Sequence, residues 1–455
     1  MMLTKNQELT LTCEGLGAEL EGICRYEGQA VFVPGALPGE TVKARVLMVR
    51  PTFAYARLDR VAVPSPDRRE PFCPAYRFCG GCSGQHMSYP ATLAAKRQQV
   101  FDHLTRIARL PITEADVPPV IGADDPIHCR NKTSLPIGGT AQAPMLGFYK
   151  RRSHEIVSIE NCPVAMGDLG SVIAAIKAWM RETGAPPYDE TTHRGLLRHL
   201  VVRTSRAGEV LVVLAATSAS LPNPENLIRR LQTGVPGFCG LHVSENRQHN
   251  NVILGETSRK LYGADVITEN LLGLSFEISP LSFFQVNPAQ TERLYQQALA
   301  FAALTPQDTA VDAYAGAGTI SLCMARQCKR VIGLEIVPQA VESARRNAAA
   351  NHIENAEFSV AAVEERLPEL VRQGLRPDVI MLDPPRKGVE PAVIDAILQA
   401  SPRRVVYVSC HVPTQARDVA LLAAGGYRFA GCQPVDLFCY AGGVENVLCM
   451  ERVAD

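Results

Sequence analysis

Short apolar runs alternate with longer amphipathic stretches through the last third of the chain. The apolar runs that predict strands are 309–314, 329–335, 378–383 and 404–410. The amphipathic stretches that predict helices are 319–327, 338–350, 391–400 and 414–424. Because strands that alternate with helices form parallel sheets, residues 281–455 predict a doubly wound α/β domain of Rossmann-like type.

The first part of the chain has the pattern of an all-β domain. Between residues 7 and 63, short apolar runs are separated by turn signals such as Gly-Ala-Leu-Pro-Gly-Glu at 35–40. This pattern predicts a small barrel of the OB type over 1–63, a fold that often binds single-stranded RNA.

The middle region, 64–280, begins with a segment rich in proline and cysteine. A helical pattern at 89–110 and an acidic linker at 111–126 follow, and strand-like alternation dominates the rest. Two apolar runs on either side of Ala207-Gly208 predict a hairpin. Since 455 residues suit about three domains, we predict a barrel, a β-rich α+β domain and the α/β domain.

The composition excludes several classes of protein. Apolar residues make up 46% of the chain, and no apolar run approaches the roughly 20 residues that span a bilayer, so no membrane contact is expected. The N-terminal residues lack the apolar core of a signal peptide. With fourteen cysteines and no such signal, the chain is expected to be cytoplasmic, where thiols stay reduced and can bind metals.

The net charge is zero, but the charge is unevenly distributed. Residues 43–109 contain twelve Lys or Arg against four Asp or Glu, and residues 129–152 contain five basic residues and no acidic ones. A phosphate backbone is attracted by the local positive charge of a protein surface. These segments can therefore bind RNA although the net charge of the whole chain is zero. From charge alone, a basic face that contacts only solvent is an equal alternative.

Candidate functional groups follow the predicted strands of the α/β domain. A glycine-rich turn occupies 312–318, Glu335 ends the next strand, Asp383-Pro-Pro-Arg386 follows a third, and Cys410 ends a fourth. Ligands of such sheets bind at the carboxyl ends of the strands. A carboxylate at the end of a strand can accept hydrogen bonds from both hydroxyl groups of a ribose. Because the turn lacks the G-x-G-x-x-G pattern of NAD-binding proteins, it favours S-adenosylmethionine over NAD.

A cysteine beside a methyl donor indicates methylation at carbon. Ring carbon C5 of a pyrimidine is too weak a nucleophile to take a methyl group unaided. A thiolate that adds to C6 makes C5 electron-rich, and a base must afterwards remove the C5 proton. Cys410 is the candidate nucleophile, with a buried sheet cysteine as the alternative. Glu445 is the candidate base, with a surface glutamate on the last strand as the alternative.

A second group of cysteines has the spacing of metal ligands. Cys73, Cys79 and Cys82 follow a C-x5-C-x2-C pattern, and Cys162 in Glu-Asn-Cys-Pro is a fourth candidate. Four thiolates suit either an iron–sulfur cluster or structural zinc. The spacing matches neither paired zinc knuckles nor the C-x3-C-x2-C of radical-type S-adenosylmethionine enzymes.

With these motifs the chain resembles the RNA uracil-C5 methyltransferases, which form 5-methyluridine, over nearly its whole length. The run 147–163, which ends in Asn-Cys-Pro, and Phe-Gln-Val-Asn at 284–287 match segments of that family. The resemblance implies a TRAM-like barrel, S-adenosylmethionine as methyl donor and a 4Fe–4S cluster. It also implies 23S rRNA as substrate, because the cluster is typical of the rRNA branch and usually absent from the tRNA branch, which also tends to lack the barrel. We therefore expect RNA as the partner of a monomer with no obligate protein partner.

The resemblance also implies the roles of individual residues. The residues expected to act in catalysis are Cys410 as nucleophile and Glu445 as proton acceptor. The residues expected to line the cofactor site are Gln285, Tyr314, Glu335 and Asp383. The residues expected to hold the cluster are Cys73, Cys79, Cys82 and Cys162.

The chain departs from the family pattern near the predicted site. His-Val follows Cys410 where the family has Asn-Pro, and Gly443 and Ala441 replace a histidine and a threonine ahead of Glu445. An acidic residue expected near Ala362 is also missing. These departures leave the target nucleotide open. The alternatives are the same chemistry on tRNA or on more than one rRNA uridine, and an RNA-binding protein with a decayed catalytic site.

Overall fold

The N-terminal region forms a closed barrel. The computed structural model describes residues 3–453; the two residues at either end, which the predicted first and third domains include, lie outside the described residues. The barrel strands are β1 (Glu8–Leu16), β2 (Gly22–Tyr26), β3 (Gln29–Val33), β4 (Thr41–Val49) and β5 (Phe53–Val63). They close in the order β1-β2-β3-β5-β4. Alternate residues of β1, such as Leu9 and Leu11, face the interior. The predicted small barrel is confirmed.

A single helix, α1 (Tyr89–Arg106), follows the cysteine-rich segment. The Ser88 hydroxyl accepts a hydrogen bond from the Ala91 N–H at 3.4 Å, and a proline occupies the first turn, which are two signals of a helix start. Buried Val100 and Leu104 pack in the same apolar layer as the C-terminal sheet. The helix predicted at 89–110 therefore forms, but it ends four residues early and packs against the α/β domain.

The central region is a seven-stranded sheet with two helices. The strands are β6 (Lys132–Gly139), β7 (Pro144–Tyr149), β8 (Ile156–Ser158), β9 (Leu197–Thr204), β10 (Val210–Ala216), β11 (Phe238–Glu245) and β12 (Arg259–Gly263). The helices are α2 (Leu169–Thr183) and α3 (Pro224–Gly234). The strand order is β12-β11-β10-β9-β6-β7-β8. The predicted hairpin is β9–β10, in which Thr204 lies opposite Val210.

A short hairpin lies between the central sheet and the C-terminal sheet. It consists of β13 (Ile267–Leu271) and β14 (Leu274–Ile278). Phe276 packs in the same apolar cluster as Leu294 of the next helix, α4 (Pro288–Ala302). The hairpin thus packs with the C-terminal region, and the domain boundary at residue 280 stays a prediction.

The C-terminal sheet positions the candidate site. Its strands are β15 (Thr309–Asp312), β16 (Arg330–Glu335), β17 (Ala356–Val360), β18 (Val379–Leu382), β19 (Arg404–Ser409), β20 (Tyr427–Val435) and β21 (Glu445–Arg452). The helices are α5 (Thr319–Ala325), α6 (Pro338–Ala350), α7 (Val363–Arg372), α8 (Pro391–Ala400) and α9 (Val412–Ala424). The strand order is β17-β16-β15-β18-β19-β21-β20. The first five strands in this order are parallel, and β21 runs antiparallel to both of its neighbours.

The predicted doubly wound α/β architecture is confirmed, but the alternating pattern missed several elements, among them strand β17 and helix α7. Strand β17 lies at the sheet edge and buries only Phe358, so its apolar alternation is weak. Helix α7 contains Pro368, which interrupts a helical pattern. Between residues 3 and 453, no helix has the length and apolar character needed to cross a membrane.

Candidate active site and cysteine cavity

Five side chains lie along one edge of the C-terminal sheet: four predicted site residues and the acidic side chain of Asp312. Asp312 and Glu335 end β15 and β16, Asp383 follows β18, and Cys410 follows β19. Since β21 runs in the opposite direction, its first residue, Glu445, lies at the same edge. The sheet therefore collects at its carboxyl edge, where ligands of such folds bind, groups that are far apart in sequence.

Cys410 and Glu445 are neighbours on adjacent strands, because Ser409 pairs with Asn446. Burial raises the pKa of the Cys410 thiol, and the Glu445 carboxylate raises this pKa further. The Arg386 guanidinium acts in the opposite direction, through its charge and a hydrogen bond to the thiol. Arg386 is thus the cation that favours the thiolate.

Glu445 is a buried carboxyl group with unused hydrogen-bonding capacity. Its side chain is 2% exposed, and its Oε2 atom has no hydrogen-bond partner among residues 3–453. Burial raises its pKa well above the ordinary range, nearby Asp383 raises this pKa further, and Arg386 lowers it. A carboxylate with a raised pKa is a stronger base than an ordinary glutamate, so this environment suits a proton acceptor.

Two carboxyl groups at the centre of the edge also have raised pKa values. Removal from water raises the pKa of Asp383 to about 7, with a further contribution from Asp312. Burial raises the pKa of Asp312 to about 6, although the Ser321 hydroxyl donates a hydrogen bond to Oδ2 and lowers it. The Oδ1 atom of Asp312 has no partner among the described residues. This concentration of carboxyl groups favours a cationic ligand.

The glycine-rich turn and Glu335 form one hydrogen-bonded unit. The Glu335 carboxylate accepts hydrogen bonds from the backbone N–H of Gly316 at 3.0 Å and of Val337 at 2.9 Å. Gly316 and Gly318 have φ values of +54° and +81°, in the left-handed region that favours glycine. The turn therefore approaches the end of β16 closely, and a ligand over the turn would contact backbone atoms.

Tyr314 lies within this turn, whereas Gln285 belongs to a separate segment of the chain. Tyr314 is half-buried against the apolar layer that contains α7, α8 and α9, and this burial raises its pKa. Gln285 lies just before α4, and its carbonyl accepts a hydrogen bond from the Asn131 side chain at 3.0 Å. Because α4 leads back to the start of β15, its first residues lie near the carboxyl edge. The structure thus places all four predicted cofactor residues on that side of the sheet.

The four predicted cluster ligands line one cavity. The residues concerned are Cys73, Cys79, Cys82 and Cys162. Burial raises the pKa of Cys82 to about 11, and the nearby Cys162 and Cys79 contribute to this increase. The segment that carries Cys79 and Cys82 is fixed to the end of β7 by a hydrogen bond from the Gly80 N–H to the Tyr149 carbonyl at 2.9 Å. The fold therefore joins two segments that are about eighty residues apart in sequence.

The cavity offers only thiols as metal ligands. No Asp, Glu or His lines it. Within residues 3–453, no group of three or more His, Cys, Asp or Glu side chains is arranged to hold a metal ion. Zinc needs four sulfurs at about 2.3 Å from one point, whereas a cluster of several irons separates its ligands more widely. The free space between the lining side chains is about 20 Å³.

The basic segments are less uniformly exposed than their sequence suggests. Lys96 is fully buried and paired with Asp436, so it cannot contact phosphate, and its inclusion in a basic face was wrong. Lys132 is half-buried, and burial lowers its pKa to about 8. Lys150 and Arg152, on the turn between β7 and β8, are exposed.

Two family models match separate parts of the chain. A family model described as TRAM domain matches residues 3–58, and one described as tRNA (Uracil-5-)-methyltransferase matches residues 262–453. An uncharacterized RNA methyltransferase of Halalkalibacterium halodurans is 42% identical over 99% of this chain and 98% of its own length. Another, of Clostridium acetobutylicum, is 39% identical over the same shares of the two chains.

A solved structure is similar over nearly the whole molecule. The crystal structure of Pyrococcus abyssi tRNA (uracil-54, C5)-methyltransferase in complex with S-adenosyl-L-homocysteine covers 97% of this chain and 100% of its own, at 26% identity and a TM-score of 0.77. Fold and comparisons together define an S-adenosylmethionine-dependent methyltransferase that acts on RNA. The chain belongs to the RNA (uracil-5-)-methyltransferase family.

Proposed function

We propose that this protein transfers a methyl group from S-adenosylmethionine to C5 of a uridine in 23S rRNA. The observation that carries the proposal is the adjacency of Cys410 and Glu445 at the carboxyl edge, with Arg386 beside the thiol. Besides the methyl donor, methylation at C5 needs a nucleophile and a base, and a cation that stabilises the thiolate assists the first step.

In the proposed reaction, Cys410 acts first and Glu445 last. The thiolate forms a bond to C6, and the electron pair of the C5–C6 double bond becomes part of an enolate that makes C5 nucleophilic. C5 then attacks the sulfonium methyl group, the S–CH₃ bond breaks, and S-adenosylhomocysteine is released. Glu445 takes the proton from C5, the double bond re-forms, and the thiolate leaves. The buried position and raised pKa of Glu445 support the last role.

The proposed cofactor contacts involve Gln285, Tyr314, Glu335 and Asp383. Glu335 would accept hydrogen bonds from the ribose hydroxyls, since each carboxylate oxygen can accept more than one hydrogen bond. The raised pKa of Asp383 supports its position beside a cation, because a sulfonium or ammonium charge would restore the ionised carboxylate. The related Pyrococcus abyssi enzyme holds S-adenosyl-L-homocysteine.

We also propose that Cys73, Cys79, Cys82 and Cys162 hold a 4Fe–4S cluster. The four thiols around one cavity, without a carboxylate or imidazole, support this choice over a hard metal ion. When bound, such a cluster would cross-link the segment before α1 to the segment after β8.

The substrate is the most specific part of the proposal. The cysteine site supports 23S rRNA, as the family resemblance implies. The similarity to a tRNA (uracil-54, C5)-methyltransferase over 97% of the chain favours tRNA as a second candidate. In either RNA the target base must leave the helix, at a cost of a few kcal/mol in lost stacking, because a stacked uracil does not present C6 to a sheet edge.

Trapping of the covalent intermediate tests the chemistry. RNA that contains 5-fluorouridine should form a stable adduct with the protein, because fluorine cannot leave as a proton. Cys410→Ala should form no adduct and transfer no methyl group, whereas Cys328→Ala, a buried cysteine outside the site, should behave like the wild type. Undiminished methylation by Cys410→Ala would refute the nucleophile.

Glu445→Gln tests the second half of the reaction. Methyl transfer should proceed, and the methylated RNA should stay attached to Cys410. If Glu445→Gln turns over at the wild-type rate, a group other than Glu445 removes the C5 proton. Methylation of 23S rRNA fragments and tRNA transcripts in parallel, followed by mass mapping of the product, decides between the two substrates.

A further inference from the structure

The loop at 436–444, here called the base loop, leads directly into Glu445. Several parts of the molecule contact it. The Tyr440 carbonyl accepts hydrogen bonds from the Ser83 and Gly84 N–H groups, both at 2.8 Å, immediately after Cys82. A methyl group on Gly442 would lie 2.3 Å from the Ala18 carbonyl oxygen, so the barrel also touches the loop.

The third contact is a buried clamp from α1 on the first residue of the base loop. Asp436 and Lys96 are both fully buried, and the Lys96 ammonium lies 2.5 Å from Oδ1 of Asp436. The Tyr89 hydroxyl donates a hydrogen bond to Oδ2 at 2.8 Å. Lys96 also donates to the Phe438 carbonyl at 3.0 Å. Both carboxylate oxygens of Asp436 and the backbone two residues later are therefore fixed by one helix.

The backbone of Asp436 is fixed as well. Its N–H donates to the Ile121 carbonyl at 3.0 Å, and its carbonyl accepts from the Gln290 side chain at 3.2 Å. The start of the base loop is therefore held in place through backbone and side chain together.

A buried ion pair is a poor way to gain stability. Removal of both charges from water costs most of what their attraction provides, and apolar side chains of similar size are often at least as stable. What the pair does supply is direction, because hydrogen bonds to both carboxylate oxygens fix position more narrowly than apolar packing does. The side chain that this fixed loop delivers to the carboxyl edge is Glu445.

We infer that Lys96, Tyr89 and Asp436 are positioning residues that hold the base loop so that Glu445 reaches the C5 proton of the methylated uracil. The inference rests on the proposed function of Glu445. A general base must come within about 2.6–3.2 Å of the proton it removes. Because a displacement of about 1 Å from a distant substitution can cost roughly 100-fold in rate, loss of the clamp should act selectively on proton removal.

The experiment separates methyl transfer from release of the product. Single-turnover reactions with labelled S-adenosylmethionine give the rate of methyl transfer, and the fraction of protein attached to RNA in denaturing gels gives the rate of release. In Lys96→Met, methyl transfer should stay near the wild-type rate, and the adduct should decay roughly 10- to 100-fold more slowly. Tyr89→Phe, which removes one hydrogen bond, should give a smaller slowing of the same step.

A control variant removes a buried lysine elsewhere. Lys177 of α2 is also buried and pairs with Glu160 at 2.9 Å. Lys177→Met should change thermal stability without slowing adduct decay. Affinity for S-adenosylmethionine, measured by calorimetry, should equal that of the wild type in every variant that is used.

Failure of the inference and failure of the proposed function give different results. If Glu445→Gln accumulates the adduct while Lys96→Met and Tyr89→Phe release RNA at the wild-type rate, the clamp is only structural and the inference is wrong. If Glu445→Gln itself turns over normally, the role of Glu445 is wrong. If Lys96→Met does not fold, Tyr89→Phe alone decides, and an unchanged rate of adduct decay in that variant overturns the inference.

Discussion

Replacement of Arg386 by methionine should slow methyl transfer at neutral pH and move its pH dependence to more alkaline values. Burial and the Glu445 carboxylate raise the pKa of Cys410, and Arg386 is the cation that lowers it, through its charge and a hydrogen bond. Without Arg386 the pKa rises further, and less thiolate is present at any pH below it.

The size of the effect follows from the strength of that hydrogen bond. A hydrogen bond to a charged group contributes about 1.5–3 kcal/mol. Arg386 is exposed and Cys410 only partly buried. Solvent therefore screens their interaction, and the lower limit of about 1.5 kcal/mol applies. This corresponds to an approximately tenfold loss of thiolate below the pKa, because 1.36 kcal/mol equals one pKa unit.

Single-turnover methyl transfer measured from pH 6 to pH 10 provides the assay. With the wild type, the rate should rise about tenfold per pH unit until Cys410 is ionised. The Arg386→Met profile should follow the same slope, displaced to higher pH by about one unit. Lys387→Met is the matched control, because Lys387 is also exposed and pairs with Glu390 at 3.0 Å, away from the thiol. Superimposable profiles of Arg386→Met and wild type would refute the reasoning.

Three further changes test other parts of the molecule. Cys79→Ser should remove the broad visible absorbance of anaerobically purified protein, which arises from thiolate-to-iron charge transfer; stoichiometric zinc in colourless wild-type protein would contradict the cluster. The double variant Lys150→Glu, Arg152→Glu should weaken RNA binding without change in S-adenosylmethionine affinity. The slope of log K against log salt concentration should become shallower by roughly 0.7 for each phosphate that the protein no longer neutralises. Gly442→Ala should destabilise the protein by about 1–3 kcal/mol in urea unfolding through its clash with the barrel. Gly15→Ala, with no atom within 4 Å of the new methyl group, should not.

The sequence was sufficient to predict the α/β architecture and the edge on which the candidate site lies. Strands β15, β16, β18 and β19 are short apolar runs that alternate with helices, and this pattern alone predicts that their carboxyl ends meet. Asp383 and Cys410 could therefore be assigned to one edge before the fold was known. The C-x5-C-x2-C spacing likewise identified three of the four thiols that line the cavity.

The rest depends on contacts between distant segments that have no local signal. Glu445 reaches the edge because β21 is inserted antiparallel beside β19, and strand alternation does not predict that insertion. Lys96 resembles any surface lysine of a basic helix, and only tertiary packing pairs it with Asp436. The sequence places Arg386 after a strand but does not reveal the direction of its side chain, so its contact with Cys410 could not be predicted.

The position of β21 between β19 and β20 has a consequence for synthesis of the protein. Residues 445–452 follow both neighbours in sequence but separate them in the sheet. Until these residues leave the ribosome, the free edge of β19 presents unpaired backbone groups, the kind of surface that templates aggregation. Synthesis proceeds at about 5–20 residues per second, and domains fold as they emerge. A nascent chain of this length contains Cys410 but lacks Glu445 and the rest of β21, so its sheet is incomplete. We therefore expect this intermediate to be the form of the protein that most needs a chaperone.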